Sequence, residues 1–337
     1  MSESSIPRPS HRRGVLATFT KFAPYAIAGL ALFWVLRGLK LAELQRVFAD
    51  TPLTLFVGTS AVMLLLNCAA DTFAMQSVFR WFGVAVPFFD LYVVRGSTYL
   101  LAVINYHVGQ AAIVGYLYRV RRVPIYRATG IILFIIGVNV GTLFLLASAG
   151  AARATGELSW LHYVPLACLA GGVAYAIVLK WKPKILAERT LLGPLFEMRI
   201  RGHLRGVLVR LPHVGVLLIW HWISLRLFKV QIPPLDALLY LPALFAIGSL
   251  PINVNGFGVA QIVAIAFFSP YVTKGDPKTT VMAYSLATTT TALVLQLLLG
   301  LLCLRRATRL GAPTKTEEPA AGTETDADVL RGAASAD

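Results

Sequence analysis

Two polar stretches interrupt a chain that is otherwise strongly apolar, and both carry side chains able to bind a ligand. They read INYHVGQAAI, at 104–113, and INVNGFGVAQI, at 252–262. Asn and Gln amides offer both donors and acceptors, so they can hold a phosphate or a sugar without burying a charge. The sequence therefore predicts a neutral binding site with these residues: Asn105, His107, Gly109, Gln110, Pro251, Asn253, Asn255, Gly256, Gly258 and Gln261.

Glycine and proline in these stretches favour breaks in a helix. Gly256 and Gly258 allow backbone conformations closed to other residues, and Pro251 lacks a backbone donor. Helix N-termini that follow breaks at Gly109 and Gly258 favour anionic groups. In the alternative interpretation, these residues only let helices pack closely and hydrogen-bond one another. His107 is either a ligand or proton group, since its ordinary pKa is near neutrality, or a plain hydrogen-bonded histidine.

Ionisable residues also occur inside apolar segments, where they are candidates for function: Asp71, Arg95 and His221. Asp71 lies nine residues before Arg80, which is about 13 Å along a helix. Arg95 follows from the same side, so we expect an ion pair between Asp71 and Arg95. Head-group binding by Arg95 is the alternative. Asn139 and Gln296 are expected to form hydrogen bonds between helices.

The composition indicates a multi-pass membrane protein of the all-α class, with 57% hydrophobic and 14% charged residues. Backbone groups in lipid must be satisfied within the protein, so the spans are helices of about 20 residues. Six full spans are predicted: Phe22 to Leu39, Leu53 to Phe79, Ala128 to Ala149, Trp160 to Trp181, Val214 to Ile232 and Val281 to Leu304.

Basic residues predict the orientation of these spans, because Lys and Arg accumulate in short cytoplasmic loops. The basic regions are residues 8–21, Arg119 to Arg127, Lys180 to Arg210 and Arg305 to Arg309, whereas the loops Gly150 to Ser159 and Phe228 to Asp236 hold few basic residues. We therefore expect both termini in the cytoplasm and the protein in the cell (inner) membrane. The segment Ile185 to His213 is expected either to lie on the surface of anionic lipid or to serve topology alone.

This orientation leaves two segments too short to cross the membrane twice. Phe88 to Arg119 must begin and end inside, which allows about 15 residues per pass, or about 22 Å of helix against 30 Å of hydrocarbon. Leu235 to Tyr271 repeats the pattern from the outer face. The sequence thus predicts two oppositely oriented re-entrant or short helical hairpins, an inverted pseudo-repeat with polar tips.

The rest of the chain carries little that binds or reacts. Residues 1–21 form a cytoplasmic segment, 22–309 the membrane domain, and 310–337 a tail expected to be disordered. Cys68, Cys168 and Cys303 lie in apolar runs without metal-ligand spacing, so no metal or cofactor is expected. Nucleotide-binding, hydrolase and metalloprotease motifs are absent from the sequence, which predicts a protein that is not an enzyme. No nucleic-acid partner is expected.

The membrane segment resembles the lysylphosphatidylglycerol synthase transmembrane region, or flippase-like family. LPINVNGFGVAQ is similar to the family motif of Pro, a polar stretch and Gly-x-Gly-x-x-Glu, while NYHVGQAAIVGYLYRVRR is similar to Pro-x-x-x-Gly-Glu before a basic loop. Asn105 stands where that motif has Pro, and Gln110 and Gln261 where it has Glu. The family's synthase chemistry belongs to a following soluble domain, so synthase activity is not expected here.

The resemblance implies a carrier that binds or moves a lipid, or a lipid-linked precursor, between leaflets. Its expected partners are membrane lipids, above all those with anionic head groups. The alternative is a non-transporting membrane partner or regulator of proteins that make envelope lipids or glycans, in which the two glutamines mark lost transport chemistry.

Overall fold

The computed structural model describes residues 41–104, 106–150, 162–183, 191–248 and 259–311, and this part of the chain is almost entirely helical. One isolated antiparallel bridge joins Val230 to Val272. The helices are α1 (Leu41–Asp50), α2 (Leu53–Trp81), α3 (Phe88–Ile104), α4 (Tyr106–Arg121), α5 (Ile125–Gly150), α6 (Val164–Trp181), α7 (Gly193–Glu197), α8 (Arg199–Leu227), α9 (Pro234–Gly248), α10 (Val259–Phe268) and α11 (Pro277–Gly311).

Five of these helices, α2, α5, α6, α8 and α11, are long and apolar enough to cross a membrane. They correspond to five of the six predicted spans; the first, Phe22 to Leu39, lies outside the described residues. Leucine, valine and phenylalanine side chains cover much of their outer surface, as expected for helices in contact with lipid chains. The all-α class and the multi-pass character of the chain are thus confirmed at this level.

Helix α8 differs from the prediction because it begins at Arg199, well before Val214, and continues through Pro212. Arginine is a good helix former, so an arginine-rich segment can extend an apolar helix. Leu204 and Leu208 are exposed on one side of this segment, whereas Arg210 is 6% exposed on the other. From Arg199 onward, the stretch expected on the membrane surface is therefore part of a long helix.

Two pairs of shorter helices, α3 with α4 and α9 with α10, stand where the sequence predicts hairpins. With 17, 16, 15 and 10 residues, these helices are about 25, 24, 22 and 15 Å long, less than the roughly 30 Å of hydrocarbon. A Cβ built on Gly109 would lie 3.1 Å from the Cβ of Ala102. A continuous helix would separate these residues by about 10 Å, so the chain folds back between α3 and α4.

Helices from the first half of the chain pack along helices from the second half, an arrangement that we call the exchange of packing partners. Helix α2 packs along α8, α3 packs along α11, and α9 packs along α5. Close backbone approach at glycine supports the α3–α11 contact: a Cβ on Gly300 would lie 2.6 Å from Leu100 Cγ, and one on Gly96 would lie 2.7 Å from Cys303 Sγ. These contacts run in opposite chain directions, so α3 and α11 are antiparallel.

The two ends of the helix bundle differ in charge. One, which we call the basic end, joins the start of α3 to the end of α11 through Asp90 and Arg306, and the start of α5 to α7 through Arg127 and Glu197. At the other, the opposite end, Lys274 pairs with Asp50, close to the Val230–Val272 bridge. The described arginines of the basic end are Arg80, Arg119, Arg121, Arg122, Arg127, Arg199, Arg201, Arg305, Arg306 and Arg309.

Candidate functional site

A buried carboxylate in α2 is shared by two arginines from different helices. Arg95 in α3 donates from Nε to Asp71 Oδ2 at 2.5 Å, and Arg210 in α8 donates from Nη1 to Asp71 Oδ1 at 2.5 Å. Asp71 is 2% exposed, and Arg95 and Arg210 are 7% and 6% exposed. The three side chains, which we call the arginine cluster, therefore place one negative and two positive charges inside the bundle.

Side chains from three helices, α2, α3 and α5, orient the two guanidinium groups. Arg210 also donates from Nε to Asn139 Oδ1 in α5 at 2.9 Å. Arg95 donates from Nη1 to Thr98 Oγ1 at 3.2 Å, and its guanidinium carbon lies 5.0 Å from the centroid of the Tyr99 ring. Hydrogen bonds to charged groups and cation–π contacts hold such groups more firmly than a single ion pair does. The cluster thus fixes α2, α3, α5 and α8 against one another.

One further acceptor lies beside the cluster. Asn67, one helical turn before Asp71, is 8% exposed, and its Oδ1 has no hydrogen-bond partner among the described residues. His213, which follows Arg210 by three residues, lies next to it, with Nδ1 3.4 Å from the backbone oxygen of Asn67. A buried acceptor without a partner is uncommon, so Asn67 Oδ1 is available to accept a hydrogen bond from a group outside the described residues.

Helix geometry brings the cluster to a common depth below the basic end. Asp71 lies ten residues before the end of α2, Arg95 seven residues after the start of α3, and Arg210 eleven residues after the start of α8. At 1.5 Å per residue, these positions are about 15, 10 and 16 Å inside the helix ends. The three charges therefore lie between the basic end and the middle of the bundle.

The expected Asp71–Arg95 ion pair is present, and the expected interhelical bond of Asn139 is made to Arg210. Arg210 was not among the predicted intramembrane residues, because it lies among arginines that were assigned to a loop. Its apolar neighbours Val209 and Leu211 were the available signal. They show an arginine inside a hydrophobic run, but they do not identify Asp71, 139 residues away, as its partner.

The two interrupted stretches are described in part. Gly109 and Gln110 lie in α4 and Gln261 lies in α10; all three are buried, Gln261 completely. Gly109 was expected at a helix break, but α4 already begins at Tyr106 and Gly109 lies inside it, against Ala102 and the backbone oxygen of Thr98. Its role is close packing, because a side chain there would strike α3. The described part of the chain does not include the side chain of His107 or the predicted site residues Asn105, Pro251, Asn253, Asn255, Gly256 and Gly258.

The third predicted ionisable residue, His221, lies apart from the arginine cluster. Its Nδ1 is 2.7 Å from the hydroxyl of Tyr284 in α11, and its ring packs edge-on against Phe245 in α9. The pair lies closer to the opposite end, since His221 is six residues from the end of α8. His221 thus joins α8, α9 and α11 through one hydrogen bond and aromatic packing.

A cleft at the opposite end carries charges of both signs. Glu43, Arg46, Asp50, Lys229 and Lys274 are among its lining residues. Lys274 Nζ lies 2.7 Å from Asp50 Oδ2, and this hydrogen bond lowers the pKa of the Asp50 carboxyl. Both side chains are more than half exposed, so the pair contributes little to stability.

Comparison of the chain with protein-family models, curated proteins and solved structures finds no match.

Proposed function

We propose that this chain is a flippase-like membrane carrier, which binds a lipid or a lipid-linked precursor and moves it between leaflets. The observation that carries the proposal is the exchange of packing partners. The short helix α3 of the first half lies along α11 of the second, while the short helix α9 of the second half lies along α5 of the first. The two long helices α2 and α8, one from each half, pack along each other.

This pattern is the one that an inverted repeat would produce. In our proposal, α2 to α5 correspond to α8 to α11, with each half contributing a long helix, a short pair and a second long helix. Transporters built from such repeats bind their substrate where the interrupted helices of the two halves meet. The pairing of α3 with α11 and of α9 with α5 supports the assignment because each contact is the counterpart of the other.

The two short pairs reach the interior from opposite ends under this proposal. The neighbours of α3 and α4 along the chain, namely the end of α2 and the start of α5, belong to the basic end. The neighbours of α9 and α10 are Val230 and Val272, whose bridge belongs to the opposite end. Between the two tips, a head group would exchange hydrogen bonds without being exposed to lipid chains.

The polar residues at the tips suit a neutral substrate contact. Gln110 and Gln261 are buried near the inner ends of α4 and α10, and their amides can both donate and accept. The family that this chain resembles has glutamates at these two positions. Because glutamine does not exchange protons, we propose a carrier without proton exchange at either position. Loss of transport altogether, with a regulatory role in envelope synthesis, is the competing outcome.

The distribution of charge supports an orientation for this carrier. Ten described arginines lie at the basic end, whereas the described basic residues of the opposite end are fewer, namely Arg46, Arg226, Lys229, Lys274 and Lys278. Short loops rich in arginine remain in the cytoplasm. We therefore propose that the basic end faces the cytoplasm, that both termini lie there, and that the protein belongs to the cell membrane.

A lipid-scrambling assay tests the proposal. The purified full chain would be reconstituted into vesicles of phosphatidylcholine and phosphatidylglycerol that carry a trace of fluorescent phosphatidylglycerol. Dithionite added outside removes only the accessible fluorescence, about half of the total in sealed vesicles. We expect the protein to raise the removed fraction well above half, because label from the inner leaflet reaches the surface.

The double variant Gln110→Leu with Gln261→Leu tests the role of the two amides, because it removes them and keeps a side chain of similar size. We expect this variant to insert and to move lipid at least tenfold more slowly, since each lost hydrogen bond is worth about 1 kcal/mol. Vesicles containing the wild-type chain that behave like empty vesicles would refute transport and favour the regulatory role.

A further inference from the structure

We propose that the arginine cluster is an anion subsite, which takes the phosphate diester of an anionic phospholipid and is closed by Asp71 in its absence. The inference rests on the proposed function for its ligand class, and it gives that ligand a place. Nothing in the interrupted stretches supplies a positive side chain among the described residues. The two buried arginines do.

The net charge of the arginine cluster favours an anionic ligand. Arg95, Arg210 and Asp71 sum to one positive charge, at a depth where an ion costs free energy unless it is balanced. A phosphate diester carries one negative charge and would make the set neutral. Among the described residues, Asp71 is the acidic group that both guanidiniums contact.

The placement of the two guanidinium groups also suits a phosphate. Arg95 and Arg210 approach from α3 and α8 and bind separate oxygens of one carboxylate. A phosphate offers the same arrangement, since two of its oxygens can accept from two guanidinium groups, a contact for which arginine is better suited than lysine. Asp71 therefore occupies the position that a phosphate would take, and it must move aside when the ligand binds.

The unpartnered oxygen of Asn67 narrows the choice of head group. Asn67 lies one turn from Asp71 on the same face of α2, and its Oδ1 accepts no hydrogen bond from the described residues. A hydroxyl group next to the phosphate would donate to it. Phosphatidylglycerol combines an anionic phosphate diester with such a hydroxyl, whereas phosphatidylcholine and free phosphate do not, so it is the lipid with which we test the subsite.

Asp71→Asn separates a ligand site from a structural ion cluster. The substitution leaves two buried arginines without their carboxylate, so in phosphatidylcholine nanodiscs we expect the unfolding midpoint to fall by about 10 °C. Nanodiscs that contain phosphatidylglycerol should restore most of this loss, because the lipid phosphate replaces the carboxylate. The wild-type chain should respond less, since Asp71 competes with the lipid.

Three controls accompany this measurement. Asp50→Asn makes the same change of charge in an exposed pair and should leave the response to lipid unchanged. Asp71→Asn with Arg210→Gln removes one of the two anion ligands and should lose most of the rescue. Inorganic phosphate, added to phosphatidylcholine nanodiscs at constant ionic strength, should rescue poorly; rescue equal to that by phosphatidylglycerol would overturn the assignment to a lipid.

If the unfolding midpoint of Asp71→Asn is lowered equally in both lipids, the cluster has only a structural role and the subsite is refuted. If this variant does not fold, Arg210→Gln keeps the question open to test, because it leaves the neutral pair of Asp71 and Arg95. We expect it to bind phosphatidylglycerol about tenfold more weakly in native mass spectrometry, with partial recovery in Arg210→Lys. Unchanged binding would also refute the subsite.

These outcomes are independent of transport itself. If the wild-type chain scrambles lipid but its lipid binding does not depend on Arg210, the subsite is refuted and the carrier function is retained. If lipid binding depends on Arg210 but the wild-type chain does not scramble lipid, the subsite is supported and the carrier function is refuted.

Discussion

Asp71 determines how three helices meet, because it is the common acceptor for arginines from α3 and α8. The cost of removing a member of this cluster depends on which charge is left. Loss of Arg210 leaves one ion pair, whereas loss of Asp71 leaves two positive charges facing each other in a buried space. Breaking a buried ion pair from one side commonly costs about 3–5 kcal/mol.

The pair of His221 and Tyr284 allows a test at the scale of one atom. Tyr284→Phe removes the hydroxyl and leaves His221 Nδ1 without its 2.7 Å partner, so we expect a loss of about 1–3 kcal/mol of unfolding free energy. Tyr118→Phe removes a hydroxyl from a side chain that is 52% exposed, and it should have little effect. Denaturant unfolding in detergent measures both. Equal midpoints would show that the hydrogen bond contributes nothing.

Sequence reasoning predicted the ion pair of Asp71 and Arg95 because both residues stand out in apolar surroundings at similar depth. It failed for Arg210, which stands among the arginines that follow Arg199. Those arginines differ in the side of the helix they occupy and in what packs there. Helical periodicity gives the side, but the partner depends on how α2 and α8 are placed in three dimensions.

Helix α8 shows the corresponding limit for whole elements. The long apolar runs predicted the ends of the five membrane helices to within seven residues, except for the start of α8, which lies in an arginine-rich segment. The two short pairs were predicted from length and loop charge alone, and helices of suitable length are present there. The exchange of partners between α3 with α11 and α9 with α5 was not predictable, because it depends on contacts between distant segments.

The α3–α11 contact provides a test at the scale of elements. A side chain on Gly300 would meet Leu100 at 2.6 Å, so Gly300→Leu should force the two helices apart and cost about 1–3 kcal/mol. Gly58→Leu in α2 adds the same side chain where nothing lies within 4 Å and should be tolerated. Thermal unfolding compares the two variants. The packing would be contradicted if both variants had the same unfolding midpoint.

For the whole molecule, the asymmetry of charge between the two ends is the property that relates structure to membrane. Helix α11 has 35 residues, or about 52 Å, which exceeds the roughly 30 Å of hydrocarbon. Lys274 precedes one end of this helix, and Arg309 lies in its last turn. Residues near both ends should therefore reach water, on opposite sides of the membrane.

Cysteine labelling tests this arrangement in intact cells. Cys68, Cys168 and Cys303 would first be replaced by alanine, and single cysteines introduced as Lys274→Cys or Arg309→Cys. Thiol reagents react with the thiolate, which forms in contact with water. An impermeant maleimide should label the first variant in intact cells and the second only after the membrane is permeabilised, because the arginine-rich end remains in the cytoplasm. Labelling of both from outside would mean that α11 does not cross the membrane. The reverse pattern would keep the crossing and invert the orientation, placing the arginine cluster nearer the outer leaflet.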